Sequence, residues 1–320
     1  MKIIRGLPAA SDRPPCALTI GNFDGVHRGH QALLADVVQA ARARELVPSV
    51  MTFEPHPREF FAPESAPPRV ANLRDKLAAL AAGAIERVFI AHFDRRFAAL
   101  TAEQFIAEIL VAGLATRWLI VGEDFRFGAG RAGDFALLAS AGVRAGLAVV
   151  REAAVCADGE RISSSSVRTA LAAGDLARAR NLLGHPYAIS GRVLHGRKLG
   201  RTLGFPTLNL RIAHRPGMQR PAVQGIFAVR VHGLGIASSS PPLAGVASVG
   251  MRPTIDDSGR WLLEVHLFDF AREVYGHLVR VEFVQRIRDE LKYDTLAQLA
   301  AAIDADAARA RSLLAFDRVA

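Results

Sequence analysis

Cysteine is almost missing from this chain of 320 residues: only Cys16 and Cys156 occur, far apart and outside any Cys-x-x-Cys or Cys/His cluster. That spacing argues against structural zinc and a disulfide framework, and predicts two quiet buried thiols. Long apolar runs are missing too. None approaches the roughly 18 residues that a membrane helix needs. The start, Met1 to Pro8, has no sustained hydrophobic core ahead of its charges and prolines, so no membrane partner and no secretory signal are expected, and a cytoplasmic setting follows. Acidic residues are in deficit, 31 against 40 Lys and Arg, for a formal charge of +9. The excess suits anionic ligands, yet much of it is Arg spread over Ala-rich helices such as 40–45 and 177–180. A dense basic tract interleaved with aromatics is absent, so nucleic acid is not an expected partner. With 50% hydrophobic residues there is material for two ordinary cores.

What is present starts at residues 21 to 30, Gly-Asn-Phe-Asp-Gly-Val-His-Arg-Gly-His. Residues 17–20 predict a short buried strand, 21–25 a turn, and 29–44 a helix with apolar positions at Leu33, Leu34, Val37 and Val38. His27 and His30 stand where that helix begins. Its unpaired N–H groups and positive dipole end favour an anion there, and imidazole donors can hold phosphate oxygens without a permanent charge. Gly29 lets the backbone approach the ligand. The alternative is an ordinary helix start with one exposed and one packed histidine.

From Ala17 to Leu183, apolar strands at 50–53, 88–91, 118–122 and 147–150 alternate with helices near 73–82 and 101–113. That pattern predicts βαβ units around a parallel sheet. Ligands bind such sheets beyond the carboxyl ends of the strands, and there stand Thr-Phe-Glu-Pro-His-Pro at 52–57, His92-Phe-Asp94, and Gly-Glu-Asp-Phe-Arg-Phe-Gly at 122–128. Helices at 166–173 and 175–183 lead to a break at Gly184-His-Pro186. Period-two segments then follow at 187–194, 225–232, 243–249, 261–268 and 278–283, predicting a small antiparallel barrel. A last helix has a capping box at Thr295 to Gln298 and docking positions at Leu299 and Ile303. The stretch 237–242 reads as an exposed hairpin loop without chemistry.

Two more segments carry chemistry. Arg161-Ile-Ser-Ser-Ser-Ser-Val-Arg168 sets hydroxyls and an Arg at a helix start, a possible clamp for a triphosphate, although a plain N-cap serine explains the hydroxyls equally. Residues 191–209 hold four glycines and four cations. The segment is no P-loop, yet Gly196 and Gly200 can offer backbone N–H groups, and Lys198 and Arg201 charges, to phosphates. Thr207 and Asn209, on alternate positions of an extended segment, can offer oxygens to a magnesium ion. A basic, glycine-rich hairpin is the alternative. Glu264 shares a strand face with His266 and Phe268. That face is expected to be the otherwise apolar inner one, which makes Glu264 a candidate general base, against a surface salt bridge.

Together these segments resemble the bacterial bifunctional riboflavin kinase/FMN adenylyltransferase family, the FAD synthetases. The resemblance rests on GNFDGVHRGH at 21–30, TFEPHP at 52–57, VGEDFRFG at 121–128, Ile162 to Ser165 with Arg168, GRTLGFPTLN at 200–209 and GVASVGMRPTI at 245–255. It implies a Rossmann-like nucleotidyltransferase domain over 1–184 and a β-barrel riboflavin kinase domain with a C-terminal helix over 185–320. Riboflavin, FMN and FAD are then substrates or products, with Mg2+ accompanying ATP. His27 and His30 are implied to bind ATP phosphates in adenylyl transfer, helped by Asn22, Ser163, Ser164, Ser165 and Arg168. His56, Asp124 and Phe125 are placed near the flavin by loop position alone. Thr207 and Asn209 are implied to hold Mg-ATP, and Glu264 to take the proton of the ribityl 5′-hydroxyl. One departure is Ser165, where the family usually has Thr; the hydroxyl is kept. Two rivals remain: a related nucleotidyltransferase with a regulatory barrel, which Thr207, Asn209 and Glu264 argue against, and a basic nucleic-acid-binding protein. Oligomeric state is not encoded legibly.

Overall fold

The computed structural model describes residues 1–153, 155–157, 159–195, 204–212, 220–234, 241–251 and 261–316. Gly196, Lys198, Gly200, Arg201 and most of the 237–242 loop lie outside the described residues. Contacts divide the chain into two units, Met1–Ala66 with Lys76–Ser163, and Pro67–Asp75 with Ser164–Ala320. This partition differs from a single break at 184 because 164–184 and 67–75 both group with the second unit. Asn72 Nδ2 donates to the Ser190 carbonyl at 2.9 Å, the Ser190 N–H donates to Asp75 at 2.9 Å, and the Arg69 N–H donates to the Arg220 carbonyl at 2.7 Å.

In the first unit, β1 (Lys2–Arg5), β2 (Cys16–Ile20), β3 (Val47–Glu54), β4 (Arg87–His92), β5 (Thr116–Gly122) and β6 (Ala148–Glu152) form a parallel sheet in the order β1-β4-β3-β2-β5-β6. Every residue of β2 is buried, Thr19 included, as in a central strand whose two faces are both covered. The edge strands β1 and β6 are mostly exposed. β1 is unexpected from the sequence, since four half-polar residues carry no burial signal. The helices are α1 (Arg28–Ala43), α2 (Pro57–Phe61), α3 (Leu73–Ala82), α4 (Arg95–Ala98), α5 (Ala102–Gln104) and α6 (Phe135–Ala145), and a π-helical stretch, Phe105–Gly113, continues α5 where an ordinary helix is expected. A short hairpin, β7 (Cys156–Ala157) and β8 (Glu160–Arg161), ends the unit. The chain steps outward from β2 to β3 and β4, then crosses back to β5 and β6, so the strand order reverses between β2 and β5. A crevice for ligands opens at such a point.

The second unit contains α7 (Ser164–Ala173), α8 (Leu176–Leu183) and a closed barrel of β9 (Ala188–Leu194), β10 (Thr207–Arg211), β11 (Gly225–His232), β12 (Leu243–Met251), β13 (Trp261–Leu267) and β14 (Leu278–Arg288), paired antiparallel in the order β10-β13-β12-β11-β14-β9. β14 runs past Phe283, the expected end, because register shifts against β11 carry the pairing on to Arg288. Leu210, Phe227, Val229, Leu263 and Val265 are fully buried in the barrel interior. Glu264 therefore faces outward, not onto the apolar inner face expected for it: both parities of β13 hold apolar residues, and the more polar parity takes the outside. The last helix, α9 (Leu296–Phe316), starts at Thr295, whose Oγ1 accepts the Gln298 N–H at 3.2 Å, while Gln298 reaches back to the Asp294 N–H at 3.2 Å. It covers part of the outer barrel wall with Ala307, Ala310 and Leu314 against Ile226, Ala228, Val246 and Phe268. Leu299 and Ile303, the expected docking positions, are half-buried. Arg288 ties the helix down through two bonds to Asp306, the Nε bond being 2.9 Å.

Cys16 is buried, and burial pushes its thiol up to about 11. Cys156 corrects the expectation of two buried thiols, for it is exposed in the β7–β8 hairpin. Among the described residues, no helix is long and apolar enough to cross a membrane.

Candidate active sites

The first site forms where β2 ends and α1 begins. His27 is the N-cap of α1, with extended backbone and its Nδ1 accepting the His30 N–H at 3.3 Å. The rings of His27 and His30 stack at 3.7 Å, 18° from parallel, and Phe23 lies 5.0 Å from His30. One imidazole thus caps the helix while the pair makes one flat surface at its positive end. A Cβ on Gly29 would stand 3.3 Å from the His27 ring and 3.4 Å from the Ile162 carbonyl. The absence of a side chain there lets the 162–163 segment, and with it Ser163, close on the first turn of α1. Asn22 Oδ1 is buried with no hydrogen-bond partner among the described residues.

Sequence reasoning misses what holds this turn in shape. Phe23 and Val26 have φ of 47° and 39°, a costly conformation, above all for β-branched Val. Burial fixes them, Phe23 at 0% and Val26 at 1% exposure, and Gln31 Nε2 donates to the Val26 carbonyl at 2.8 Å. Lys76 is buried nearby: its Nζ donates to Thr52 Oγ1 at 3.5 Å, which donates to the Asn22 carbonyl at 3.3 Å. Also missed is a chain of phenylalanine rings, Phe61, Phe60, Phe93, Phe53, Phe97, Phe105, Phe127 and Phe125, in successive contacts with centroids 5.1 to 6.1 Å apart. It runs along the strand ends, and Phe61 at its tip is 67% exposed. The signal was available, since the segments after β3, β4 and β5 each carry two Phe.

The expected flavin contacts fare differently. His56 is buried as the N-cap of α2, its Nδ1 accepting the Arg58 N–H at 3.1 Å while Glu59 accepts the His56 N–H at 3.1 Å. Asp124 is exposed and pairs with Arg161 at 2.7 Å. Phe125 joins the ring chain, stacked on Phe127. Ser164 and Ser165 open α7 in the second unit, and Arg168 there donates from Nε to the Pro68 carbonyl at 2.8 Å.

The second site lies on the outer barrel wall. Antiparallel register sets Thr207 opposite His266 and Asn209 opposite Glu264, with Ser248 opposite Glu264 from the other side. The strands β10, β13 and β12 thus align Asn209, Glu264 and Ser248 in one row. The approach to β10 is anchored on His266, whose Nδ1 lies 3.0 Å from the Pro206 carbonyl with the Phe205 ring edge-on at 5.3 Å. Asn209 Nδ2 donates to the Thr207 carbonyl at 3.3 Å, leaving Oδ1 buried without a partner among the described residues. Such an orphaned oxygen, two residues from Thr207 on the same face of β10, fits a hard cation that takes oxygen ligands. Ser248 Oγ donates to Glu290 at 2.7 Å. Crowding by protein raises the Glu290 carboxyl above its ordinary range, and the charge of Glu264 adds to this against the bond from Ser248.

Residues 9–166 match the FAD synthetase family and residues 183–314 the riboflavin kinase family. The chain is 48% identical to the Escherichia coli K12 bifunctional riboflavin kinase/FMN adenylyltransferase over 100% of both chains. It is 46% identical to the Haemophilus influenzae protein of that name, over 98% of this chain and 99% of the other. A crystal structure of a Streptococcus pneumoniae protein described as a macrolide-efflux protein aligns with a TM-score of 0.73 and 30% identity, covering 95% of this chain and 97% of that one. That likeness supports the fold, and the efflux description stays with that protein. With the adenylyltransferase part first and the kinase part second, the chain belongs to the bifunctional riboflavin kinase/FMN adenylyltransferase family.

Proposed function

We propose that the two activities fall on separate residues, with 1–184 carrying adenylyl transfer to FMN and 185–320 the phosphorylation of riboflavin. The observation that carries this reading is the presence of two separately built sites, a helix start bearing stacked His27 and His30 and an outward barrel row bearing Asn209 and Glu264.

In adenylyl transfer, the FMN phosphate attacks the α-phosphorus of ATP, the bond to the bridging oxygen breaks, and pyrophosphate leaves. No side chain has to act as nucleophile, so catalysis consists of positioning and of stabilising the charge on the leaving group. His27, His30, Asn22 and Ser163 hold the ATP phosphates. Ser164, Ser165 and Arg168 keep the ATP-binding role that the motif gives them. The ring chain ending at exposed Phe61 offers stacking surface for a flavin, and of the three expected contacts Phe125 belongs to it. His56 serves its helix cap.

In the kinase, Glu264 takes the proton of the ribityl 5′-hydroxyl as that oxygen attacks the γ-phosphorus and ADP leaves. General-base help of this kind is worth about 10² to 10⁴ in rate. Thr207 and Asn209 would hold Mg2+, which when bound neutralises phosphate charge. Gly196, Lys198, Gly200 and Arg201 keep the phosphate-binding role that the sequence motif gives them. The cytoplasm, with its ATP, suits both steps.

Purified protein incubated with riboflavin, ATP and magnesium, then chromatographed, should yield FMN and FAD. Glu264→Ala should convert supplied FMN to FAD and fail on riboflavin, whereas His30→Ala should stop at FMN. If both variants stay folded and lose both steps alike, the division of labour is wrong.

A further inference from the structure

We propose that Glu290 is a positioning residue of the kinase: it accepts the hydrogen bond of the Ser248 hydroxyl and so keeps that donor from Glu264. The inference rests on Glu264 being the group that receives the ribityl proton. Ser248 and Glu264 oppose each other directly on β12 and β13, a relation that sets side chains about 5 Å apart. A serine hydroxyl has one proton to give. Given to Glu264, it would occupy a lone pair and stabilise the carboxylate, weakening it as an acceptor for the substrate proton. In the structure it goes to Glu290 at 2.7 Å.

The place of Glu290 is also prepared. Gly250 lies two residues beyond Ser248, on the same face of β12. A Cβ there would stand 1.9 Å from one carboxylate oxygen of Glu290 and 2.2 Å from the other. The carboxylate thus fills the space a side chain would take. Gln224 gives it a second hydrogen bond, and Arg288 and Glu264 are the charges that act on it.

Steady-state riboflavin kinase kinetics on the full-length protein test the proposal. Glu290→Leu, which removes both acceptor oxygens, should lower kcat roughly tenfold, the worth of one hydrogen bond to the reacting group. KM for riboflavin and the conversion of supplied FMN to FAD should not change. Gly250→Ala, which evicts the carboxylate without altering it, should do the same. The deciding measurement adds Ser248→Ala to Glu290→Leu, because with no hydroxyl left to misdirect, kcat should recover. A double variant as slow as Glu290→Leu, or a loss seen only in KM, overturns the proposal. Glu264→Gln separates the two layers. If it retains kinase activity, the reading of Glu264 as base falls and this inference with it; if it is inactive while Glu290→Leu matches the parent, only the inference falls.

Discussion

At the scale of single residues, surroundings decide what a charge does. Glu152 ends β6, where burial first and the charge of Asp36 second raise its carboxyl from 4.5 to about 7. Between those values the folded protein holds more protons than the unfolded chain, so this group's ionisation costs stability as pH rises from about 4.5 through 7. Glu152→Gln should match the parent in Tm near pH 4 and gain a growing advantage toward pH 8. Thermal melts across that range would show it, and a constant gap would refute it. Residue type and spacing alone single out His27, His30, Thr207, Asn209 and Glu264 as candidates, but the outward face of Glu264 was not legible, because both parities of β13 hold apolar residues. Phe23 and Val26 were hidden, since neither is a residue that favours positive φ and only burial holds them there. Glu290 was hidden because its partner Ser248 is 42 positions away.

At the scale of elements, the start of α1 performs two tasks with one side chain. His27 accepts the His30 N–H and also forms half of the stacked pair. His27→Ala should cost about 1 kcal/mol through the lost cap and also abolish FAD formation from FMN. His27→Asn, which can cap, should regain most of the stability and none of the activity. Denaturant melts beside FMN adenylyltransferase assays separate the two roles. A catalytically active His27→Asn would reduce the residue to a cap. Parallel sheet and barrel were both visible in the sequence because apolar runs and period-two alternation follow from burial. The π-helical turn at Phe105–Gly113 and the extension of β14 were not, because each depends on a register that composition does not record.

At the scale of the whole molecule, the second unit recruits Pro67–Asp75 from far upstream. That exchange rests on bonds such as those of Asn72 and Asp75 to Ser190, which no local pattern announces. In the proposed assignment, the barrel separates scaffold from chemistry by face. Leu263 is fully buried inside, so Leu263→Ala should cost roughly 2 to 5 kcal/mol. KM for riboflavin at a temperature where the variant is folded should stay at the parental value, and a large rise in KM would mean that the interior shapes the site. Because Glu264 and His266 look outward between inward-facing Leu263, Val265 and Leu267, adjacent codons of one strand answer to unrelated demands. A mutational scan along β13 should beat with a period of two, heat resistance failing at one parity and turnover at the other, so that the strand can drift in core volume without disturbing the reaction on its far side.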